Sequence, residues 1–341
     1  MPALFRSAAA DLLARARAAR RILVTGPREV DGDSLASSLA LVRALRERCE
    51  AELVVVGEPG WRYAELPGAA ELVGPAEVRG PFDVAIVLDG DRRRLDARLG
   101  APFDAAASKV VIDHHESTTP AGYDLAILDR RAAATAELIH RLLRTWGVVL
   151  DASLARLLYT GLVYDTGGLR HSNTTPARLR LAAKLIAAGA PHNPVVVRTS
   201  CEKRFVGLAV MSCVLGGARL LACGRAVIGT MPAERLESLG ADYGDLDLVV
   251  DQLLYVLGVE VAVLAVERRT ATGLEVKLSL RARSDADVCA LAHRMHDSGG
   301  GHKRAAGVVL AGGLDQVLEP IVLPAIAAAL GTGGGCGGSA G

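Results

Sequence analysis

The sequence predicts an α/β protein with a parallel sheet in its N-terminal part and a smaller α+β domain in its C-terminal part. Short runs rich in Val and Ile alternate with helical patterns through the first half of the chain, which is typical of a parallel sheet. Near residue 215 this alternation stops and longer strand-like segments follow. The length of 341 residues also exceeds what one ordinary core requires, which favours two domains.

Four apolar runs are predicted as buried strands, because Val, Ile and Leu are continuous in them rather than alternating with polar residues. These runs are RILVTG from residue 21, AELVVVG from 51, FDVAIVLDG from 82 and SKVVIDHH from 108. Apolar residues at helical spacing predict helices over 33–48, 135–147, 152–168 and 175–190.

We predict an N-terminal domain over residues 1–190, a helical linker over 191–215 and a C-terminal domain over 216–331. In the last of these, RLLACGRAVIGTM, GVEVAVLAVER and GLEVKLSLRAR have the composition of strands in a mixed fold. The tail, residues 332–341, is glycine-rich and is predicted to be disordered, because it cannot bury a core.

Composition and charge narrow the class of protein. The net charge of +1 gives no bulk attraction to long nucleic acid or to a membrane, so an anionic ligand must be held by local Arg, Lys or metal. No run approaches about 18 apolar residues and no signal peptide is recognisable, which predicts a cytoplasmic protein. Six cysteines include no C-x-x-C pair, which predicts reduced thiols.

Three of the four predicted strands end in acidic or histidine residues. Because ligands bind beyond the carboxyl ends of strands in open α/β sheets, we expect these side chains to converge. Carboxylates with an imidazole suit manganese or magnesium, and manganese tolerates nitrogen better. Two such ions about 3.5–4 Å apart can share a hydroxide that attacks phosphorus. The candidate ligands are Asp31, Asp33, Asp89, His115 and, at the end of a predicted helix, Asp165.

Most of these signals also have a structural explanation. Asp33 is a candidate N-cap for the helix that follows it, Asp89 with Gly90 is a candidate turn, and DTGGLRHSN (165–173) is a candidate polar loop. The paired histidines are harder to explain in this way, since buried imidazoles need hydrogen-bond partners. The order in which these acidic and histidine motifs occur along the chain, taken together, favours a functional site.

The C-terminal domain contributes a second candidate, the segment DSGGGHKRAAG (297–307). Its glycines give the backbone freedom to approach a ligand and to present amide groups to an anion. The structural alternative is a flexible glycine turn beside a solvated basic face. The residues of interest are Gly299, Gly300, Gly301 and His302, with Arg281 and Arg283 upstream.

The order DGD, strand-end Asp, DHH, DTG and GGGHxxAAG resembles the DHH phosphoesterases with a DHH-associated C-terminal domain, over nearly all of residues 15–330. The length is similar to that of the stand-alone nano-RNase/pAp-phosphatase branch. The GGGH segment argues against the inorganic pyrophosphatase branch, because that branch has a different C-terminal domain. The resemblance implies a parallel-sheet DHH domain, an α+β C-terminal domain and an active site in the cleft between them.

The resemblance also implies roles for the metal-binding residues. Asp31 and Asp89 would hold one manganese, while Asp33, Asp89, His115 and Asp165 would hold another, with Asp89 bridging. Asp89 and His114 are the implied catalytic residues. His114 would lie near the scissile phosphate and stabilise charge or protonate the leaving oxygen.

For substrate binding, the resemblance implies that Arg281 and His302, with the Gly299–Gly301 loop, grip a terminal nucleotide or phosphate. Three residues beside Asp165 would help to place the substrate: Arg170, His171 and Asn173.

The first motif departs from the family pattern. The family usually has a histidine four residues before the first aspartate, and this chain has Pro27, which offers no ligand atom and no N–H. Glu29 and Val30 replace the usual Asn-Pro. Three alternatives stay open: Glu29 substitutes as a ligand, water fills the gap, or the first ion binds weakly.

The leading hypothesis is a phosphodiesterase or phosphatase that uses Mn²⁺, with Mg²⁺ as the alternative ion, and a metal-activated hydroxide. Its substrates would be nano-RNA or short DNA, the dinucleotides pApA and pGpG, or 3′-phosphoadenosine 5′-phosphate, because a near-neutral chain suits short substrates better than long polymers. The alternative is a catalytically weak nucleotide-binding sensor, which Pro27 favours. An α/β enzyme of another class is remote, since no G-x-G-x-x-G or P-loop sequence occurs. The preferred nucleotide and formation of a homodimer stay open.

Overall fold

The computed structural model of the protein describes residues 3–271, 273–283 and 285–331. The chain divides into two units after Glu202. This division falls inside the stretch predicted as a linker. That stretch forms one helix before the division and one after it. The domain bounds at 190 and 215 stay predictions, and the predicted disordered tail lies outside the described residues.

The strands predicted in the N-terminal unit form one parallel sheet, which confirms the predicted fold class. They are β1 (Arg21–Thr25), β2 (Glu52–Val55), β3 (Val84–Leu88), β4 (Ser108–Asp113) and a further strand, β5 (Leu125–Leu128). Their order across the sheet is β2-β1-β3-β4-β5. We did not predict β5 because this edge strand is short and only every second residue in it is buried.

Helices surround this sheet. Those of the N-terminal unit are α1 (Ala3–Ala18), α2 (Gly32–Arg46), α3 (Ala97–Asp104), α4 (Thr135–Thr145), α5 (Ala152–Asp165), α6 (Pro176–Ala187) and α7 (His192–Ser200). The segments predicted as helical from their spacing are α2, α4, α5 and α6. Since no helix among the described residues is both long and apolar enough, none of them could cross a membrane.

The central strands bury both faces, as expected for a parallel sheet. Successive side chains of a strand point to opposite faces. Ile22 and Ile86 therefore pack into a core shared with α2, α4 and α5. Leu23 and Val87 pack into a second core that contains residues of α3. This two-sided burial explains why β1 and β3 are uninterrupted apolar runs.

The C-terminal unit contains a separate mixed sheet, which confirms the predicted α+β character. Its strands are β6 (Arg219–Leu221), β7 (Ala226–Met231), β8 (Val261–Thr270), β9 (Gly273–Ala282), β10 (Gly300–His302) and β11 (Ala305–Ala311), in the order β10-β11-β9-β8-β7-β6. Only the β7–β8 pair among them is parallel in the described residues. The helices are α8 (Phe205–Gly216), α9 (Ala233–Ser238), α10 (Val249–Leu254), α11 (Val288–Met295), α12 (Leu314–Val317) and α13 (Leu323–Leu330).

The cysteines agree only in part with the prediction of reduced thiols. Cys49, Cys201, Cys213 and Cys289 are free thiols. Cys223 is disulfide-bonded, so the prediction is wrong for this residue. Cys336 lies outside the described residues.

Candidate metal centre

The acidic strand ends lie side by side at one edge of the N-terminal sheet, because β1, β3 and β4 are neighbours in it. Parallel strands place their carboxyl ends at the same edge, where ligands of open α/β sheets bind. The last residue of α5, Asp165, joins them. Donor atoms of Asp33, Asp89, His114 and Asp165 lie within 4.8 Å of one another. The expected convergence is present for these four residues.

Asp33 is fully buried in the first turn of α2 and is held by the start of another helix. Its carboxylate accepts hydrogen bonds from the backbone N–H groups of Thr135 and Ala136, the latter at 3.0 Å. Ser37 Oγ donates a further bond at 3.0 Å. The first amides of a helix lack partners within the helix and carry partial positive charge. The N-terminus of α4 therefore fixes the position of a buried carboxylate.

The helix-capping explanation that the sequence allowed for Asp33 belongs to Asp31 instead. Asp31 Oδ1 accepts hydrogen bonds from the backbone N–H groups of Asp33 at 3.0 Å and Ser34 at 2.9 Å. The backbone N–H of Asp31 donates in return to Ser34 Oγ at 2.9 Å, which completes a capping box. Asp31 does not belong to any of the converging donor groups found among the described residues.

Asp89 follows β3 directly, in a backbone conformation with φ of 58°. A left-handed conformation at a residue other than glycine costs of order 1–3 kcal/mol and is concentrated at functional sites. Asp89 Oδ1 accepts a 3.0 Å hydrogen bond from Thr135 Oγ1. Thr135, which the sequence indicated only as a helix start, thus contacts Asp33 through its backbone and Asp89 through its side chain.

The two adjacent histidines have different surroundings. His114 Nε2 lies 3.0 Å from Asp165 Oδ2 and 3.3 Å from Asp89 Oδ1. His115 instead places Nδ1 2.7 Å from Asp113 Oδ1 and Nε2 3.3 Å from Arg94 Nη1. The sequence analysis put His115 among the metal ligands and His114 beside the phosphate. Donor atoms of Asp89, Asp113, His114 and His115 also lie within 4.8 Å of one another, so both histidines belong to converging groups and the division of roles between them stays a prediction.

Asp113 was not among the predicted site residues, although it is the first letter of DHH. It is fully buried. Its Oδ1 accepts hydrogen bonds from the backbone N–H groups of His114 at 2.7 Å and His115 at 3.2 Å, and its Oδ2 accepts one from Thr118 Oγ1. With Nδ1 of His115 donating to Asp113, the tautomer and the orientation of that ring are fixed.

Burial and crowded charge shift the pKa values of this cluster. Burial, together with the charges of Asp89 and Asp165, raises the pKa of Asp31 to about 8 and that of Asp33 well above its ordinary value. Burial also opposes ionisation of Asp89, but the hydrogen bond and charge of His114 and the charge of His115 lower its pKa overall. Burial lowers the pKa of His114, and hydrogen bonds to Asp165 and Asp89 outweigh this and raise it. A cation would relieve this excess of negative charge.

The residues present fit a divalent ion of the Mn²⁺ or Mg²⁺ type. Three carboxylates and one imidazole converge, a donor set that suits these ions, with manganese favoured by the nitrogen. Close helix packing holds the set together. A Cβ atom on Gly161 of α5 would lie 2.3 Å from Asp33 Oδ1 and 2.8 Å from Ala136 Cβ. Only glycine at position 161 allows α5 to approach Asp33 so closely.

The three residues beside Asp165 form contacts within their own loop, with the end of α5 or, through Asn173 Nδ2, with the backbone oxygen of Ala133 at 3.5 Å. Asn173 Nδ2 donates to the backbone oxygen of Asp165 at 3.0 Å. Arg170 Nε donates to the backbone oxygen of Gly167 at 2.6 Å. The backbone N–H of His171 bonds to the oxygen of Thr166 at 2.9 Å. These contacts position the end of α5, and the predicted roles in substrate placement stay predictions.

In the C-terminal unit, Arg281 and His302 lie on the same face of the sheet. Ala305 of β11 is opposite Arg281 of β9 and also opposite His302 of β10. Directly opposed residues of antiparallel strands point to the same side, and strands two apart are about 10 Å from each other. Arg281 Nε lies 3.5 Å from Oδ1 of Asp251, which is a buried residue.

The glycine segment is a β-hairpin strand rather than the loop that the sequence indicated. Gly300 and Gly301 are opposite Gly307 and Ala306. A Cβ on Gly299 would lie 2.5 Å from the carbonyl carbon of Ala292, and one on Gly301 would lie 2.4 Å from Ala305 O. Close packing within the C-terminal unit therefore requires these two glycines.

Comparison with known proteins agrees with this geometry. Residues 21–162 match the DHH family, N-terminal domain, and residues 230–330 match the DHHA1 domain. The chain is 33% identical over 294 residues to the bifunctional oligoribonuclease and PAP phosphatase NrnA of Thermus thermophilus, covering 86% of this chain and 85% of the relative. The chain belongs to the DHH phosphoesterase family. This DHH phosphoesterase is therefore a hydrolase.

Solved structures show that the DHH phosphoesterase shares its fold with distant proteins. An exopolyphosphatase-related protein from Bacteroides fragilis superimposes with a TM-score of 0.80 at 20% identity, over 95% of each chain. RecJ from Thermus thermophilus, in complex with Mn²⁺, superimposes with a TM-score of 0.52 at 18% identity, over 96% of this chain and 54% of RecJ. At these identities the likeness concerns the fold.

We expect Gly161→Ala to lower both the stability of this DHH phosphoesterase and its affinity for Mn²⁺. The added methyl group displaces Asp33, and such overpacking costs about 1–3 kcal/mol. Thermal unfolding and calorimetric titration with Mn²⁺ measure the two effects. Gly216→Ala is the matched control, since a Cβ there meets no atom within 4 Å. Equal behaviour of the two variants would contradict the packing argument.

We expect the metal-free DHH phosphoesterase to lose stability as the pH rises from about 6 to about 8. The raised pKa values of Asp31 and Asp33 mean that the folded state holds more protons than the unfolded chain between about pH 4 and about pH 8, so stability falls through this window. His114 acts in the same direction, because its pKa is raised above its ordinary value and its stabilisation is lost as the pH rises through the folded-state pKa.

Thermal unfolding in chelator, repeated with saturating Mn²⁺, measures this effect. Bound metal should remove or reverse the fall, since its ligands bind it in the deprotonated form. Metal-free protein that is equally stable or more stable at the higher pH would show that the cluster does not carry this charge.

Proposed function

We propose that this DHH phosphoesterase hydrolyses short nucleotidic phosphate esters: nano-RNA, pApA and pGpG, or 3′-phosphoadenosine 5′-phosphate. The observation that carries this proposal is the complete donor set of Asp33, Asp89, His114 and Asp165 at the carboxyl edge of the parallel sheet. The name of the Thermus relative, an oligoribonuclease and PAP phosphatase, supports the substrate class. The near-neutral net charge also suits short substrates, since grip on a long polymer depends on many phosphate contacts. We place the enzyme in the cytoplasm, where such nucleotides occur.

We propose Mn²⁺ as the ion of this donor set, with Mg²⁺ as the alternative. The nitrogen donor of His114 favours manganese, and RecJ, which shares the fold, has been solved with Mn²⁺. When bound, such an ion supplies positive charge to phosphate oxygens and lowers the pKa of a bound water. Thr135 and the first amides of α4 hold Asp89 and Asp33 in the geometry that this requires.

His115 takes the role that the sequence analysis gave to His114. Its Nδ1–H donates to the buried Asp113, which leaves Nε2 as the working nitrogen. Arg94 Nη1 lies 3.3 Å from that nitrogen. In the proposed reaction His115 lies beside the scissile phosphate, where it stabilises charge or donates a proton to the leaving oxygen. A histidine with a fixed ring orientation suits this task better than one enclosed by Asp89 and Asp165.

Arg281 and His302 are proposed to bind a terminal phosphate or nucleotide. Guanidinium and imidazole groups on the same sheet face form a site for an anion. Gly299 and Gly301 contribute by allowing the hairpin to pack closely, which fixes His302. Gly300 lies in the same strand.

We expect Asp89→Asn and His114→Gln to abolish turnover. Mutation of a residue that only supports a metal ligand typically lowers metal affinity or activity about 10–100-fold. Removal of a ligand itself should therefore lower activity on the order of 100-fold or more. The assay contains purified protein, Mn²⁺ and a panel of pApA, pGpG, short RNA and 3′-phosphoadenosine 5′-phosphate, read by ion-exchange chromatography. Asp91→Asn is the matched control, because Asp91 lies two residues away and bonds to Arg93 instead.

Tight nucleotide binding without product, in the presence of either ion, would overturn the enzymatic proposal. It would favour the sensor that the sequence analysis kept as its alternative.

We expect Arg281→Gln and His302→Asn to raise KM about tenfold or more with little change in kcat. Loss of an interaction made equally in the ground state and the transition state has this signature. Arg283→Gln is the matched control, because it removes the same charge from an exposed arginine that lies over the Tyr255 ring. If Arg283→Gln raised KM equally, general attraction rather than a defined subsite would explain the result.

A further inference from the structure

The part of the cluster formed by Asp31, Asp89 and Pro27, called the Asp31 side below, does not fit a second divalent ion. The resemblance assigns that ion to Asp31, Asp89 and a histidine at the position of Pro27. Pro27 is buried and offers no donor atom. Asp31 uses one carboxylate oxygen to cap α2. Glu29, the substitute ligand that the sequence suggested, is exposed, and neither it nor Asp31 joins a converging donor group in the described part of the chain.

Arg94 lies where this side of the cluster lacks a ligand. The backbone N–H of Arg28, the residue after Pro27, donates to the backbone oxygen of Arg94 at 2.7 Å. A Cβ on Gly90 would lie 3.6 Å from Arg94 Cδ and 3.7 Å from Pro27 Cβ. The Arg94 side chain and Pro27 therefore flank the same glycine, next to Asp89.

The guanidinium group of Arg94 is close enough to act on the charges of the site. Its Nη1 lies 3.3 Å from His115 Nε2. Asp89, which precedes the Gly90 that Arg94 flanks, is one of the two carboxylates that the resemblance assigns to the first manganese.

We propose that Arg94 is the permanent cation of the Asp31 side, so that this protein holds one divalent ion, in the Asp33, Asp89, His114 and Asp165 set, rather than two. A guanidinium group is charged at every physiological pH and cannot be removed by a chelator. Its planar donors also match two oxygens of a phosphate, which a compact ammonium group does not. The activity measurement below rests on the proposed function, whereas the metal count does not.

The deciding experiment counts ions and tests whether they are neighbours. Protein loaded with Mn²⁺ and desalted is measured by elemental analysis, affinities by calorimetric titration, and ion pairing by electron paramagnetic resonance. Wild type should hold one tightly bound Mn²⁺ per chain, with the spectrum of an isolated ion. Two Mn²⁺ of similar affinity with a spin-coupled spectrum in wild type would overturn the proposal while leaving the proposed hydrolysis intact.

Five variants test the residue itself. Pro27→His alone should still bind one ion, because Arg94 repels a second. The double variant Pro27→His/Arg94→Gln should bind two ions and give a coupled spectrum. Arg94→Gln alone should lose activity by on the order of 100-fold, as for removal of one preorganised charge-stabilising donor, while Arg94→Lys should regain at least part of it. Arg93→Gln, which alters a neighbouring arginine paired with Asp91, should match wild type in both respects.

The proposal is wrong if Pro27→His alone binds two coupled ions, since Arg94 then does not exclude one. It is equally wrong if the double variant binds only one. Loss of activity in Arg93→Gln equal to that in Arg94→Gln would show a general effect of the loop, and thus also contradict it.

Discussion

The site depends on one interaction, the burial of the Asp33 carboxylate against the first amides of α4. A buried carboxylate without compensation is expensive, and here two backbone N–H groups and the Ser37 hydroxyl provide it. The same contact ties α2 to α4, and Gly161 lets α5 approach both. Three helices are thus positioned around one anionic atom pair. The Asp165 carboxylate at the end of α5 comes to the cluster through this packing.

The remaining negative charge of the cluster favours a metal centre over a purely structural network. Hydrogen bonds and helix amides offset part of the charge on Asp33, but its pKa and that of Asp31 stay raised. His114 lies between Asp165 and Asp89 and partly neutralises them. A purely structural network of this size would carry balanced charges. This cluster has more carboxylates than cations, which favours a divalent ion.

The sequence predicted the parallel sheet and the residues at its carboxyl edge, because both follow from local pattern. Uninterrupted apolar runs identify buried strands, and polar residues at their ends must meet when the strands are neighbours. It could not tell His114 from His115, since adjacent residues beyond a strand end turn to different sides and only the backbone decides which. It also offered Asp33 rather than Asp31 as the candidate helix cap, and it indicated Thr135 only as a helix start. The two Thr135 contacts join residues 102 and 46 positions apart, and no local signal records them. The glycine segment shows a different kind of error. The sequence analysis interpreted its glycines as backbone freedom to approach a ligand, whereas Gly299 and Gly301 are required by close packing.

Replacement of an ion by an arginine changes what the site can sense and do. An ion is lost when chelators compete for it, whereas a guanidinium group is lost only by mutation. The ion can lower the pKa of water, and the guanidinium group can only attract and orient oxygens. A site with one of each divides these tasks between the two sides of Asp89. The water-activating task then falls to the side that keeps four donors, and phosphate orientation falls to the side with Arg94 and His115. Pro27 replaces the histidine that the family usually has in its first motif. On this view, it is the residue that leaves room for the arginine.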